Sequence, residues 1–287
     1  TGSHKDRIAL ESVAEAIEGG RETISVATCG NYGYAVSMMA AAARQAGYQI
    51  QAKVFMPNSF HSAKTQLMRD LGASVYLLDG TYEDIVKFSS GRAREHQWYD
   101  ANPGGSNLQT QIDAYARIAD EVVKELGQAP ALCLFPISNG TTLCGVARGF
   151  ALLKFRGAIN STPAFVGVTV DQQNPIHTSF ADGGDYAPLC PSVLKETSIN
   201  EPLINWDSTE GGETLRLIRD SKGLTSGVTD EQLVAAAEWC KARSAGRLPV
   251  MPAGAASLAG IFSDPRLRER LEATKGEVVL VFTARED

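Results

Sequence analysis

Short apolar runs alternate with segments whose apolar residues recur every three or four positions, and this alternation continues along most of the chain. The segment "RIALESVAEAIEGG" places Ile8, Val13, Ala16 and Ile17 on one helical face and stops at Gly19-Gly20. Apolar runs at 23–28, 50–56, 74–79, 131–137, 164–170 and 277–283 predict strands. Helices are expected over about 31–46, from a cap at Asn58-Ser59 to Gly72, and over 81–96, 107–126, 142–155 and 174–182. Further helices are expected at 210–221, 229–243, 254–262 and 264–274, whereas 184–208 carries little regular pattern. The strands are continuous apolar runs, as expected when both faces of a sheet are covered. Their crossovers are long enough for parallel pairing, so the class is α/β with parallel sheets. "NPGGSN" (102–107) separates two helix-rich stretches and suggests domains 1–103 and 104–287.

Composition narrows the function classes only a little. Hydrophobic residues make up 44% of the 287 residues and charged residues 21%, as in an ordinary globular protein. A net charge of -6 gives no reason to expect nucleic acid or an anionic membrane as partner. No run of about 18 apolar residues is present to span a membrane. The five cysteines are scattered without a C-x-x-C pair, which suggests neither a zinc site nor a disulfide framework and fits a reducing cytoplasm. The four histidines are scattered too, so no metal site is expected.

Chemistry enters at strand-to-helix turns. "ATCGNYG" (27–33) offers backbone N–H groups at a helix start, which is either an anion site or a tight turn with an asparagine cap. "PISNGTTLCG" (136–145) collects Ser138, Asn139, Gly140, Thr141 and Thr142 at the next such position. These five suit a phosphate, or Ser138 and Asn139 simply cap the helix. The turn matches neither a Walker loop nor G-x-G-x-x-G. Thr283 ends the last apolar strand, facing a ligand or merely terminating the strand. At the other end, "TGSHKDR" holds Lys5, which read alone is a cloning remnant, a solvated lysine or a chemical centre.

Taken together, "GSHKDR", "TCGNYG", "SNGTTLCG" and "FTA" resemble, in order and spacing, four motifs of the fold-type II pyridoxal-phosphate enzymes. That family includes tryptophan synthase β, threonine dehydratase and threonine synthase. Segments such as "HSAKTQLMRDLGASVYLLDGTYED", "DANPGGSNLQTQ", "GVARGFALLKFRGAI" and "EPLINW" are similar to the threonine synthase branch. The resemblance implies two parallel-sheet α/β domains with pyridoxal 5'-phosphate in the cleft between them. It also implies that the N-terminal part of the first domain is missing from this chain. Lys5 would be the catalytic lysine, forming a Schiff base with the cofactor and then acting as base at Cα. Asn31 would bond the cofactor's 3' oxygen, Ser138 to Thr142 would hold its phosphate, and Thr283 would meet its pyridine nitrogen. Thr28, Cys29, Gly30, Asn31 and Asn102 would receive the substrate. The implied activity is a lyase of amino-acid biosynthesis, converting O-phosphohomoserine and water to L-threonine and phosphate. A serine or threonine dehydratase-type β-elimination, or β-replacement on an activated serine, is the alternative. A cytoplasmic homodimer acting on a small amino acid completes the expectation. Two departures stand out: no arginine follows Asn102-Pro103, where the branch holds its substrate phosphate, and Ser138 stands where glycine is usual.

Overall fold

The computed structural model describes residues 1–60 and 63–286. The chain divides into two compact units, Thr1–Ala114 and Tyr115–Asp287. The first runs α1 (Lys5–Glu18), β1 (Thr23–Ala27), α2 (Asn31–Gln45), β2 (Gln51–Pro57), α3 (Ala63–Asp70), β3 (Ser74–Leu78), α4 (Tyr82–Glu95) and β4 (Tyr99–Asp100). It then enters α5 (Leu108–Leu126), inside which the division falls. The second continues with β5 (Leu132–Pro136), α6 (Thr141–Phe155), β6 (Ala164–Val170), α7 (Pro175–Ala181), α8 (Gly211–Asp220) and β7 (Leu224–Val228). It closes with α9 (Asp230–Arg243), α10 (Ala256–Ser263), α11 (Pro265–Ala273) and β8 (Val278–Leu280).

Each unit is built on a four-stranded parallel sheet, ordered β3-β2-β1-β4 in the first and β7-β6-β5-β8 in the second. The α/β class with parallel sheets is therefore as the patterning indicates. Every residue of β5 and β6 is buried, which explains why these strands read as unbroken apolar runs. α1 lies along α2 and turns Ile8, Ala9, Ser12, Val13 and Ala16 inward. Thr81 and Thr229 begin α4 and α9 with reciprocal capping boxes to Asp84 and Gln232.

Three elements differ from the sequence expectation. β7 is absent from the pattern because its interior is polar. Thr225 and Ser226 are both buried, and Thr225 Oγ1 meets His177 Nδ1 at 2.9 Å. β4 is only two residues long, too short to show a period. Asn58 Nδ2 donates to Asp79 Oδ1 at 2.6 Å and opens a single 3-10 turn, Asn58–Phe60, while the α-helix described there begins at Ala63. Part of the "HSAKTQ" segment, residues 61 and 62, lies outside the described residues.

Candidate functional site

Lys5 opens α1, so its backbone N–H has no partner one turn earlier in the helix; Ser3 Oγ accepts it at 3.2 Å. The side chain is half-buried, and its Nζ lies 6.0 Å from the centroid of the Tyr32 ring. Tyr32 is 7% exposed and shares a 3.3 Å hydrogen bond with Ser12 Oγ. Burial, the largest cause, holds its phenol well above the ordinary range, so it stays neutral beside the lysine. Tyr32 went unrecognised in the sequence because an aromatic early in a helix reads as core.

The turn after β1 is held from within. Thr28 is buried, and its Oγ1 accepts the N–H groups of Gly30 at 3.0 Å and Gly33 at 3.1 Å. A side chain at Gly33 would put Cβ 2.4 Å from Thr28 Cγ2 and 2.9 Å from Val54 Cγ1, so only glycine permits this approach. Thr28 therefore shapes the turn, and the Gly30 amide is already bonded inside it. Asn31, the first residue of α2, accepts a 2.6 Å hydrogen bond from Lys64 Nζ through Oδ1. Cys29 is half-buried on the same turn.

Asn102 lies beneath the turn instead of lining it. It is fully buried; its Oδ1 accepts the Ala27 N–H at 2.6 Å, and its Nδ2 donates to Ser89 Oγ at 3.0 Å and Asp100 Oδ1 at 2.6 Å. Both amide hydrogens are thus used to fix the end of β1. Replacing Asn102 by alanine should leave the buried Ala27 N–H without its acceptor and cost roughly 1–3 kcal/mol, read as a lower urea midpoint. An unchanged midpoint would refute the clamp.

In the second unit, β5 delivers the chain to Ser138, and α6 starts at Thr141. Gly140 has φ +93°, and a Cβ there would lie 1.9 Å from Thr214 Oγ1. Its carbonyl accepts the Cys144 N–H at 3.0 Å and closes the first helical turn. Ser138 O accepts from Asn174 Nδ2 at 3.1 Å and Ser208 Oγ at 3.2 Å. Asn139 Oδ1 accepts from Asn205 Nδ2 at 2.9 Å and the Thr209 N–H at 3.3 Å. Thr141 Oγ1 donates to buried Glu210. Cys144, next along α6, is no nucleophile: burial pushes its thiol up to about 12. Thr283 lies just past β8, whose residue Leu280 pairs with Leu134 and whose continuation at Val281 bonds Leu134 O at 2.9 Å. Extending that register brings Thr283 out at the same end of the sheet as the 138–142 loop. Asn174, Asn205, Ser208 and Glu210 went unrecognised in the sequence, since polar loop residues carry no periodicity.

Taken as donors, the two turns are distinct. The first unit presents a half-buried amine beside a neutral aromatic ring and a helix-start asparagine. The second presents a left-handed glycine, a helix N-terminus, an amide and hydroxyls, a set suited to a phosphate. Taken separately, the first offers an amine that can bond a carbonyl carbon and the second a donor set that can hold an anion. Each unit is thus a parallel α/β sheet that carries polar donors at a strand-to-helix turn, the class of protein that binds small ligands at such turns.

The particular family follows from comparison. The chain belongs to the pyridoxal-phosphate dependent enzyme family, whose pattern it matches over residues 1–284. It is 28% identical over 266 residues to the threonine synthase of Methanosarcina acetivorans, covering 91% of this chain and 62% of that protein. It is 30% identical over 149 residues to the diaminopropionate ammonia-lyase of Escherichia coli, covering 49% of this chain and 36% of that protein. Among solved structures, a pyridoxal 5'-phosphate-dependent aspartate racemase superposes with a TM-score of 0.77 at 18% identity, covering 100% of this chain and 81% of that one. A fungal L-serine ammonia-lyase from Rhizomucor miehei gives a TM-score of 0.77 at 18% identity, covering 100% and 85%. At these identities the structural likeness establishes the fold. The chain spans about three fifths of the length of the threonine synthases it matches. Among the described residues no group of three histidine, cysteine or acidic side chains could hold a metal, and no helix is long and apolar enough to cross a membrane.

Proposed function

We propose that this protein is a pyridoxal-phosphate-dependent lyase of threonine synthase type, acting on O-phosphohomoserine and water to give L-threonine and phosphate. Bound pyridoxal phosphate supplies an electron sink for carbanions formed next to the substrate amine. Lys5 is assigned to hold its aldehyde carbon and afterwards to move the proton at substrate Cα. Ser138 to Thr142 are assigned to its phosphate, Asn31 to its 3' oxygen and Thr283 to its pyridine nitrogen. A neutral hydroxyl at that nitrogen favours its unprotonated form more than a carboxylate would, which suits elimination. Thr28 and Cys29, with the helix-start amides, are assigned to the substrate carboxylate.

The observation that carries the substrate is Lys64. A leaving phosphate dianion needs charge-assisted donors, and the arginine expected after Asn102-Pro103 is missing. Of the two lysines that could replace it, Lys53 lies 5.0 Å from the Trp98 ring centroid and 5.8 Å from that of Tyr76. Lys64 instead reaches the asparagine of the carboxylate turn at 2.6 Å. Asn107, 1% exposed and with neither amide atom bonded among the described residues, is a second candidate donor. A lysine acts as a point charge without the bidentate geometry of arginine, so phosphate should be held loosely. The missing arginine and the partial match to an ammonia-lyase support the second reading, β-elimination on serine, threonine or a related amino acid. A steady-state comparison decides. O-phosphohomoserine should release phosphate and yield threonine, and Lys64→Ala should raise KM about tenfold or more. Keto acid from serine or threonine without phosphate release would replace the leading reading by the dehydratase type.

A further inference from the structure

The phosphate loop is braced by side chains from the stretch 174–210, and the hydrogen bonds in that brace have a direction. Asn174 caps α7: its Oδ1 accepts the Ile176 N–H at 3.0 Å, which fixes the orientation of its amide. Its Nδ2 therefore faces the opposite way and shares its two hydrogens among Ser138 O at 3.1 Å, Leu203 O at 3.1 Å and Asn205 Oδ1 at 3.2 Å. Ser208 Oγ, whose single hydrogen is shared with Ser138 O at 3.2 Å, lies 3.1 Å from the same Asn205 oxygen. With its oxygen so occupied, Asn205 turns Nδ2 outward to Asn139 Oδ1 at 2.9 Å, where the Thr209 N–H also arrives at 3.3 Å. Asn174 is fully buried and Asn205 5% exposed, so water does not compete for these bonds. Asn139 is half-buried, and its Nδ2 donates to no described residue.

We propose that Asn174 and Asn205 form an amide relay that starts at the N-cap of α7 and sets which end of Asn139 is presented to an anion. The relay pins the Asn139 oxygen inward and leaves its two N–H donors outward, the orientation a phosphate requires. Were the amide reversed, an oxygen lone pair would oppose the phosphate oxygens. Asn205 is thus a positioning residue: it acts through Asn139 and touches no ligand. The inference rests on the assignment of 138–142 to the cofactor phosphate.

The test replaces the Asn205 donor with an acceptor of the same shape. Asn205→Asp should weaken pyridoxal phosphate retention about tenfold or more, since one charge-assisted donor is lost and an acceptor replaces it. Asn205→Ala, which buries no new charge, is the companion variant should Asp lower the melting temperature, and it should weaken retention in the same direction. In an Asn139→Ala background both changes should lose their effect on affinity, because the relay ends there. In 15N-labelled wild type, the side-chain amide signal that Asn139→Ala removes should shift when pyridoxal phosphate or inorganic phosphate is added, and in Asn205→Asp it should stay in place. Wild-type affinity in both Asn205 variants, or an undiminished loss in the Asn139→Ala background, would overturn the relay and leave the loop assignment standing. Wild-type protein that retains no pyridoxal phosphate would overturn both.

Discussion

Lys5→Ala protein should show no measurable turnover and leave borohydride no lysine to label. The assigned role needs an amine that can bond a carbonyl carbon and then exchange a proton at the neighbouring carbon, and alanine provides neither. Loss of a positioned proton-transfer group alone costs roughly a hundredfold to ten-thousandfold. Losing the covalent anchor adds to that, so a fall of at least about a thousandfold is expected. The local structure supports the choice of lysine. Lys5 is half-buried at the start of α1 with Nζ 6.0 Å from the centroid of a buried, neutral tyrosine ring, a setting that disfavours full hydration of an ammonium. Its nearest rival is Lys64, also half-buried and bonded to Asn31. Reduction of the wild type with borohydride followed by peptide mapping separates them. Label on the Lys5 peptide is expected, and label on Lys64 or any other lysine would reverse the assignment. Far-ultraviolet dichroism should be unchanged in Lys5→Ala, because only the first turn of α1 loses a side chain.

The helices and long strands were legible in the sequence because burial imposes a period. Ile8, Val13 and Ala16 recur at helical spacing and do line the buried face of α1. The apolar runs of β5 and β6 are the two strands buried at every position. β7 was invisible because two buried positions in its interior are the polar Thr225 and Ser226, which no hydrophobic pattern reports. The turns were visible for another reason: glycine, asparagine and hydroxyl residues crowd the end of an apolar run. What those turns do internally was not visible. Thr28 reads only as a ligand group in the sequence, and the structure adds a second role, its Oγ1 accepting two glycine amides. Asn102 reads as a substrate contact and is drawn inward to Ala27, Ser89 and Asp100. The brace behind the 138–142 loop comes partly from 184–208, the stretch with no regular pattern. Its members Asn205 and Ser208 are defined by partners some 66 to 70 residues away in the chain, and such pairings leave no local signature.

Gly140→Asp should reduce cofactor affinity by about two orders of magnitude or more, through two separable effects. The first is steric. Gly140 has φ +93°, where any side chain is strained, and a Cβ there would sit 1.9 Å from Thr214 Oγ1 and 2.9 Å from Thr214 Cβ. The loop or the start of α8 must shift to admit it. The second is electrostatic. An aspartate at this position sets a negative charge at the N-terminus of α6, on the loop assigned to the phosphate. Two like unit charges about 5 Å apart repel by roughly 3 kcal/mol at an effective dielectric of about 20, a factor of more than a hundred in affinity. Gly140→Asn isolates the first effect, since asparagine has the same shape without the charge and tolerates left-handed backbone better than most residues. Titration with pyridoxal phosphate, followed by absorbance, should rank affinity as wild type, then Asn, then Asp. The gap between Asn and Asp should narrow as salt is raised, because the charge repulsion is screened and the steric clash is not. Unchanged affinity in Gly140→Asp would remove the 138–142 loop from the cofactor site, whatever the fate of Lys5.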